Sequence, residues 1–141
     1  MARSELLAGR LTYDPSLDLI HVDVAGVVAD SVPFIDDLFD GIEQVARRYP
    51  NRDVLACWEG TEIVGEAVIA RYGVRTAHLL TLVKQVVRYG LEDPMTRSIV
   101  RTQAIRHVAA GVRSNLFPTR AAAVQFLMDE RARTLESPTK Q

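Results

Sequence analysis

The chain of 141 residues has little of what marks membrane, secreted or metal-binding proteins. It contains one cysteine, Cys57, so no intramolecular disulfide can form and no cysteine-based zinc site is expected. No apolar run approaches the roughly 18 residues of a transmembrane helix, so we predict no membrane span. The N-terminus lacks the apolar stretch of a signal peptide, which predicts a cytoplasmic protein.

Nucleic-acid and cofactor motifs are also missing. Aromatic residues make up 6% of the chain and none lies between Arg97 and Arg113, which argues against a platform for stacking bases. The stretch Gly60–Gly65 lacks the lysine of a phosphate loop and the glycine spacing of a dinucleotide-binding turn. His21, His78 and His107 are too scattered for a metal site. We therefore predict no nucleic-acid binding, no metal and no cofactor.

The net charge of −1 conceals two halves of opposite sign. Residues 1–66 carry 13 acids and 5 bases, and residues 67–141 carry 5 acids and 12 bases. The halves either neutralise each other within one molecule or pair between the subunits of a symmetric dimer, and the sequence leaves both open.

The remaining composition is that of a globular domain. Apolar residues make up 48% and charged residues 25%, enough apolar surface to offset the entropy of ordering the chain. We predict one domain over residues 1–135 and a frayed polar tail over residues 136–141.

Periodicity places the elements of the first half. A hairpin is predicted from Leu7–Tyr13 and Leu19–Val28, which flank a turn at residues 14–18. Asp30 or Ser31 should cap a helix that ends at Pro50. A buried strand follows at residues 54–58, whereas residues 61–76 fit either a helix or a strand.

The second half continues the alternation. A helix is predicted from Thr76 to Gly90, a strand at Thr96–Thr102 and a short helix at Ala104–Val112. A last strand at Leu116–Phe117 precedes a helix capped by Thr119. The order β-β-α-β-α-β-α-β-α predicts an α/β fold, with one mixed, partly parallel sheet of four or five strands packed against four helices.

This order resembles the SpoIIAA-like branch of the STAS superfamily, the anti-sigma-factor antagonists and their relatives. The likeness is carried by the strand Leu19–Gly26 with a helix soon after it, the unit Leu79–Thr102, and the closing stretch Leu116–Leu127. It implies a small regulatory module that acts through surface contacts and is commonly non-enzymatic. The family's phosphorylated serine has no counterpart, because Trp58–Glu62 contains only Thr61 as a hydroxyl residue.

Two acidic regions are candidate interaction surfaces. The loop after the predicted buried strand supplies Trp58, Glu59, Thr61 and Glu62, at the strand end where α/β folds place their sites. The alternative for Trp58 is a packing role. The first helix adds the acids Asp36, Asp37 and Asp40.

A candidate basic patch comprises Arg97 and Arg101, which share one face of the predicted strand, and Arg106 and Arg113, which share a helical face. The alternatives are a solvated face or internal pairing with the acids.

We therefore expect a non-catalytic, STAS-like module that binds a protein partner or itself, with a homodimer as one form. The alternative is a site for a small apolar ligand or lipid near Trp58, lined by residues 63–69. An enzyme is disfavoured, because no nucleophile–base pair can be named.

Overall fold

The structure, a computed structural model, describes residues 7–109 and 114–136, with side chains omitted for residues 103–109, 114, 115 and 136. The strands are β1 (Leu11–Asp14), β2 (Leu19–Asp23), β3 (Val28–Ala29), β4 (Asp53–Cys57), β5 (Glu62–Ile63), β6 (Gln85–Tyr89) and β7 (Ser114–Phe117). The helices are α1 (Val32–Arg48), α2 (Glu66–Leu79), α3 (Pro94–Ala109) and α4 (Arg120–Glu136).

Five strands form one mixed sheet in the order β1-β2-β4-β6-β7. The hairpin strands β1 and β2 are antiparallel, and the other neighbours are parallel. The short strands β3 and β5 form a separate parallel pair. The predicted α/β class, with its N-terminal hairpin and four helices, is confirmed.

The helices divide unequally between the two sides of the five-stranded sheet. Helices α1, α2 and α3 contribute to the core with alternate strand residues such as Ile20, Val54 and Val86, and we call this side the three-helix face. Helix α4 packs on the opposite residues, including Leu55 and Val87, and this side is the single-helix face. The connections between successive parallel strands have one handedness, which places α1, α2 and α3 on the same side of the sheet. Helix α4 follows the last strand and packs on the opposite side.

Local signals position α1 as predicted. The Ser31 hydroxyl caps the helix by accepting from the backbone N–H of Phe34 at 3.3 Å. The apolar spacing buries Phe34, Ile35, Leu38 and Ile42 against the sheet. The helix ends at Arg48, shortly before Pro50, so the predicted helix is confirmed.

The helix predicted from Thr76 to Gly90 is wrong. Helix α2 ends at Leu79, and the strand β6 follows at Gln85–Tyr89. All five residues of β6 are buried, because the strand lies inside a parallel sheet with helices on both sides. Gly90 follows a strand rather than a helix, with φ at +79°, and a Cβ there would lie 2.4 Å from Cγ of Glu59.

The strand predicted at Thr96–Thr102 is also wrong, since these residues lie within α3. Asp93 accepts from the backbone N–H of Thr96 at 2.8 Å, and Pro94 occupies the first turn. A capping aspartate followed by proline therefore starts a helix where the sequence analysis expected only a connection.

The remaining predictions have mixed outcomes. Residues 61–76, which were ambiguous, form β5 and the first part of α2. The final helix is confirmed, and the Thr119 hydroxyl accepts from the N–H of Ala122 at 3.1 Å. The proposed tail, apart from Glu136, lies outside the described residues. Within the described ranges, no helix combines the length and apolarity needed to cross a membrane.

Candidate functional site

The loop after β4 is held firmly by buried contacts. Trp58 is 7% exposed and meets Tyr72 of α2 edge to face, with ring centroids 5.7 Å apart. Its backbone N–H donates to the carbonyl of Tyr89 at 2.9 Å. Trp58 therefore packs in the core, where it positions the loop instead of reaching solvent.

Thr61 has a similar supporting role. It is buried, and its hydroxyl donates to the carbonyl oxygen of Val24 at 2.7 Å. Glu59 and Glu62 of the same loop are exposed. The loop thus presents carboxylates to solvent while its only hydroxyl side chain is used internally.

An exposed apolar group lies beside these carboxylates on the small sheet. Val28 and Val64 are 50% and 48% exposed, and Val28 is the register partner of Glu62, so these residues share one face. The N–H of Ile63 donates to the hydroxyl of Thr96 at 3.2 Å, and Met95, next to Thr96, is 71% exposed. We call the group Val28, Glu59, Glu62, Val64 and Met95 the strand-end surface.

The acids of α1 largely face arginines of α2. Arg75 contacts Asp36 at 2.9 Å, Asp40 at 2.8 Å and the buried Glu43 at 3.0 Å. Arg71 contacts Asp36 at 2.7 Å, and this hydrogen bond is the main cause of the lowered pKa of Asp36. Here the oppositely charged halves of the chain meet within one molecule.

Asp37, the third acid predicted on this helix, is exposed. The acidic surface of α1 is therefore partly neutralised from inside the molecule. The negatively charged surface that α1 leaves for a partner is smaller than the sequence suggests.

A second ion pair within the molecule joins distant parts of the chain at Asp53, the first residue of β4. Arg131 of α4 donates to the buried carboxylate of Asp53 at 2.8 Å and to the carbonyl of Leu17 at 2.6 Å. Gln85 also donates to Asp53, at 3.0 Å. These bonds satisfy a carboxylate that burial would otherwise penalise.

The structure places the first two arginines of the predicted basic patch on a helix. Arg97 and Arg101 lie on α3 and not on a strand, and Arg97 donates to the carbonyl of Leu91 at 2.7 Å. Arg101 is exposed. The side chain of Arg106 and the whole of Arg113 lie outside the described residues, so the patch stays a prediction.

Cys57 is not placed as a nucleophile. It is buried, and burial raises the pKa of its thiol. A reactive cysteine needs a lowered pKa and access to solvent. In the described part of the chain, no group of three or more histidine, cysteine or acidic residues is arranged to hold a metal ion.

A cavity of about 40 Å³ lies between α1, α2 and the sheet, with Trp58 and Tyr72 in its wall. The hydroxyls of Tyr72 and Thr76 are buried without a hydrogen-bond partner among the described residues. Engineered cavities that admit benzene are about 150 Å³. In this conformation the cavity is therefore sized for water and not for a lipid.

A larger and more polar groove lies on the single-helix face. It has a volume of about 440 Å³, and its polar lining comes from Thr12, Asp14, His21, Tyr89 and Arg120. Helix α4 packs on β4, β6 and β7 and reaches the hairpin turn through Arg131, but it leaves Thr12 and His21 of the hairpin fully or partly exposed, which opens the groove.

This groove is not predicted from the sequence. Its lining residues are separated by up to about a hundred positions, and strand pairing brings them together. The one available signal was His21, a polar residue on the half-exposed side of its strand with Thr12 directly opposite.

No family model, curated protein or solved structure matches the chain.

Proposed function

We propose that the protein is a non-catalytic interaction module that binds a protein partner through the strand-end surface. The observation that carries the proposal is the exposure of three large apolar side chains, Val28, Val64 and Met95, on or beside one small sheet. Exposed apolar residues that occur together are more often used for binding than those scattered singly.

The rigidity of this region supports the proposal. Buried Trp58 and Thr61 hold the preceding loop, and the N–H of Val64 donates to the carbonyl of Ala29 at 2.9 Å. A surface that is already ordered loses little entropy when a partner binds.

The charges of the surface indicate what kind of partner it suits. Glu62 is the register partner of Val28, Glu59 precedes it in the same loop, and both carboxylates are exposed. A partner with an apolar centre and basic residues around it would complement both features. Charge complementarity of this kind favours orientation and association rate more than affinity.

The STAS-like resemblance adds support by analogy alone, since it implies a module that acts through surface contacts. Thr61 differs from the family's phosphorylated serine, because its hydroxyl is buried against Val24. We propose that the carboxylates beside it supply a constant negative charge in place of a phosphorylation switch.

The test compares two valines of similar exposure. Val64→Glu places a charge in the strand-end surface, and Val74→Glu places one on α2, where Val74 is 60% exposed. Tagged wild-type protein and both variants are used to capture partners from native lysate, and the recovered protein is then titrated by calorimetry. We expect Val64→Glu to weaken binding about tenfold or more, and Val74→Glu to leave it unchanged.

Sedimentation velocity of the three purified proteins covers self-association. If the partner is a second copy of the chain, the wild type and Val74→Glu sediment as dimers and Val64→Glu as a monomer. Equal binding and equal sedimentation of the two variants would contradict the proposal.

A further inference from the structure

The groove between the hairpin and the start of α4 has the dimensions of a small-molecule site. Its volume of about 440 Å³ lies within the roughly 300–1,000 Å³ typical of ligand pockets. Tyr89 closes its inner wall and is buried, whereas Thr12 and Arg120 lie at its rim and are exposed. The groove therefore has a buried floor and open access.

Two opposite charges face this space. Arg120 forms no ion pair within 4 Å of any carboxylate described in the structure, yet its charge acts on both Asp14 and Tyr89. Asp14 accepts from the N–H and the hydroxyl of Ser16, at 2.9 and 2.6 Å, and both bonds use Oδ1. These bonds lower the pKa of Asp14, so it is negatively charged at neutral pH.

Two neutral groups also line the groove. Burial lowers the pKa of His21, so its imidazole is uncharged at neutral pH and both donates and accepts hydrogen bonds. Burial is also the main cause that raises the pKa of Tyr89 to about 12, so the phenol keeps its proton. The lining thus offers one cation, one anion and two neutral hydrogen-bonding groups.

We infer that this groove binds a small zwitterion that carries a carboxylate and an ammonium group, of the free amino acid class. The carboxylate would meet the guanidinium of Arg120, a geometry that arginine favours, and the ammonium would meet Asp14. A simple anion would be repelled by Asp14 and a simple cation by Arg120. Only a ligand with both charges is complementary to both side chains.

Calorimetric titration of the full chain with L-serine, L-glutamate, L-lysine and L-phenylalanine, one at a time, tests this inference. Propionate and propylamine serve as probes that carry only one of the two charges. We expect at least one amino acid to bind and both single-charge probes to bind about tenfold or more weakly, as for loss of a charged hydrogen bond. Amide chemical shifts should change at Thr12, His21 and Arg120.

Matched variants locate the binding. Arg120→Gln and Asp14→Asn should each weaken the amino acid about tenfold or more, whereas Arg101→Gln and Asp30→Asn, at exposed positions outside the groove, should not. Circular dichroism establishes that each variant is folded. The inference is overturned if no amino acid binds at millimolar concentration, if propionate or propylamine binds as tightly as the amino acids, or if folded Arg120→Gln binds like the wild type.

Discussion

The two faces of the sheet differ in how completely helices cover them. The three-helix face carries α1, α2 and α3, and its strand residues are almost all apolar and buried. The single-helix face has α4 alone, which covers Leu55 and Val87 but leaves Thr12 and His21 of the hairpin partly or fully exposed. Stability should therefore depend mainly on the first face, and ligand chemistry has room only on the second.

Truncating a side chain in the core of the three-helix face should lower the free energy of unfolding the most. Ile35 of α1 is 1% exposed, and Ile35→Ala should lower the free energy of unfolding by about 3 kcal/mol, because it removes buried apolar contacts and leaves a cavity. Thr12→Ala, on the uncovered hairpin, should change it by less than about 0.5 kcal/mol. Urea unfolding measures both, and similar losses would refute the contrast between the faces.

Weakening the ion-pair network between α1 and α2 should cause the next largest loss of stability. Arg75→Gln leaves the buried carboxylate of Glu43 with less compensation and should cost about 2 kcal/mol, less than full loss of a buried pair because Arg47 still donates to Glu43 at 3.3 Å. Arg71 is more exposed, so Arg71→Gln should cost below about 1 kcal/mol.

Urea unfolding in low and high salt compares these two variants. Equal costs would mean that burial of Glu43 does not determine the strength of the network.

The smallest predicted change in stability depends on pH and involves His21 on the single-helix face. Burial lowers the pKa of His21 in the folded protein, so the folded state binds a proton less readily than the unfolded state. The stability that the uncharged His21 imidazole contributes is fully present above the pKa of about 6.5 that it has in the unfolded state. This stability is lost as the pH falls through the lower pKa of the folded state.

The melting temperature should therefore fall less in His21→Gln than in the wild type between about pH 7 and about pH 5. An unchanged fall in His21→Gln would mean that the half-buried imidazole is not linked to folding.

Prediction from sequence succeeded where the signals are local. The helix α1 follows from Ser31, its apolar spacing and Pro50, and the N-terminal hairpin and the final helix lie where the sequence predicts them. The error at β6 has a physical cause. A strand buried on both faces loses its alternation, so Val86 and Val87 also fit the spacing of a helix that continues from Leu79.

The candidate sites show a similar division. The exposed carboxylates of Glu59 and Glu62 lie in the loop that the sequence singled out, but Trp58 faces the core. The groove could not be predicted, because Asp14, His21 and Arg120 come together only when the hairpin pairs and α4 returns over the sheet.

The sequence by itself determined the α/β class, the hairpin, the capped helix α1 and the final helix, because caps, turns and periodicity act over a few neighbouring residues. Only the tertiary structure decided that the acids of α1 meet Arg71 and Arg75, that residues 85–89 form a central strand, and that the single-helix face stays open at Thr12 and His21. These outcomes depend on contacts between segments far apart in the chain, and local propensity does not encode which distant segment will lie opposite.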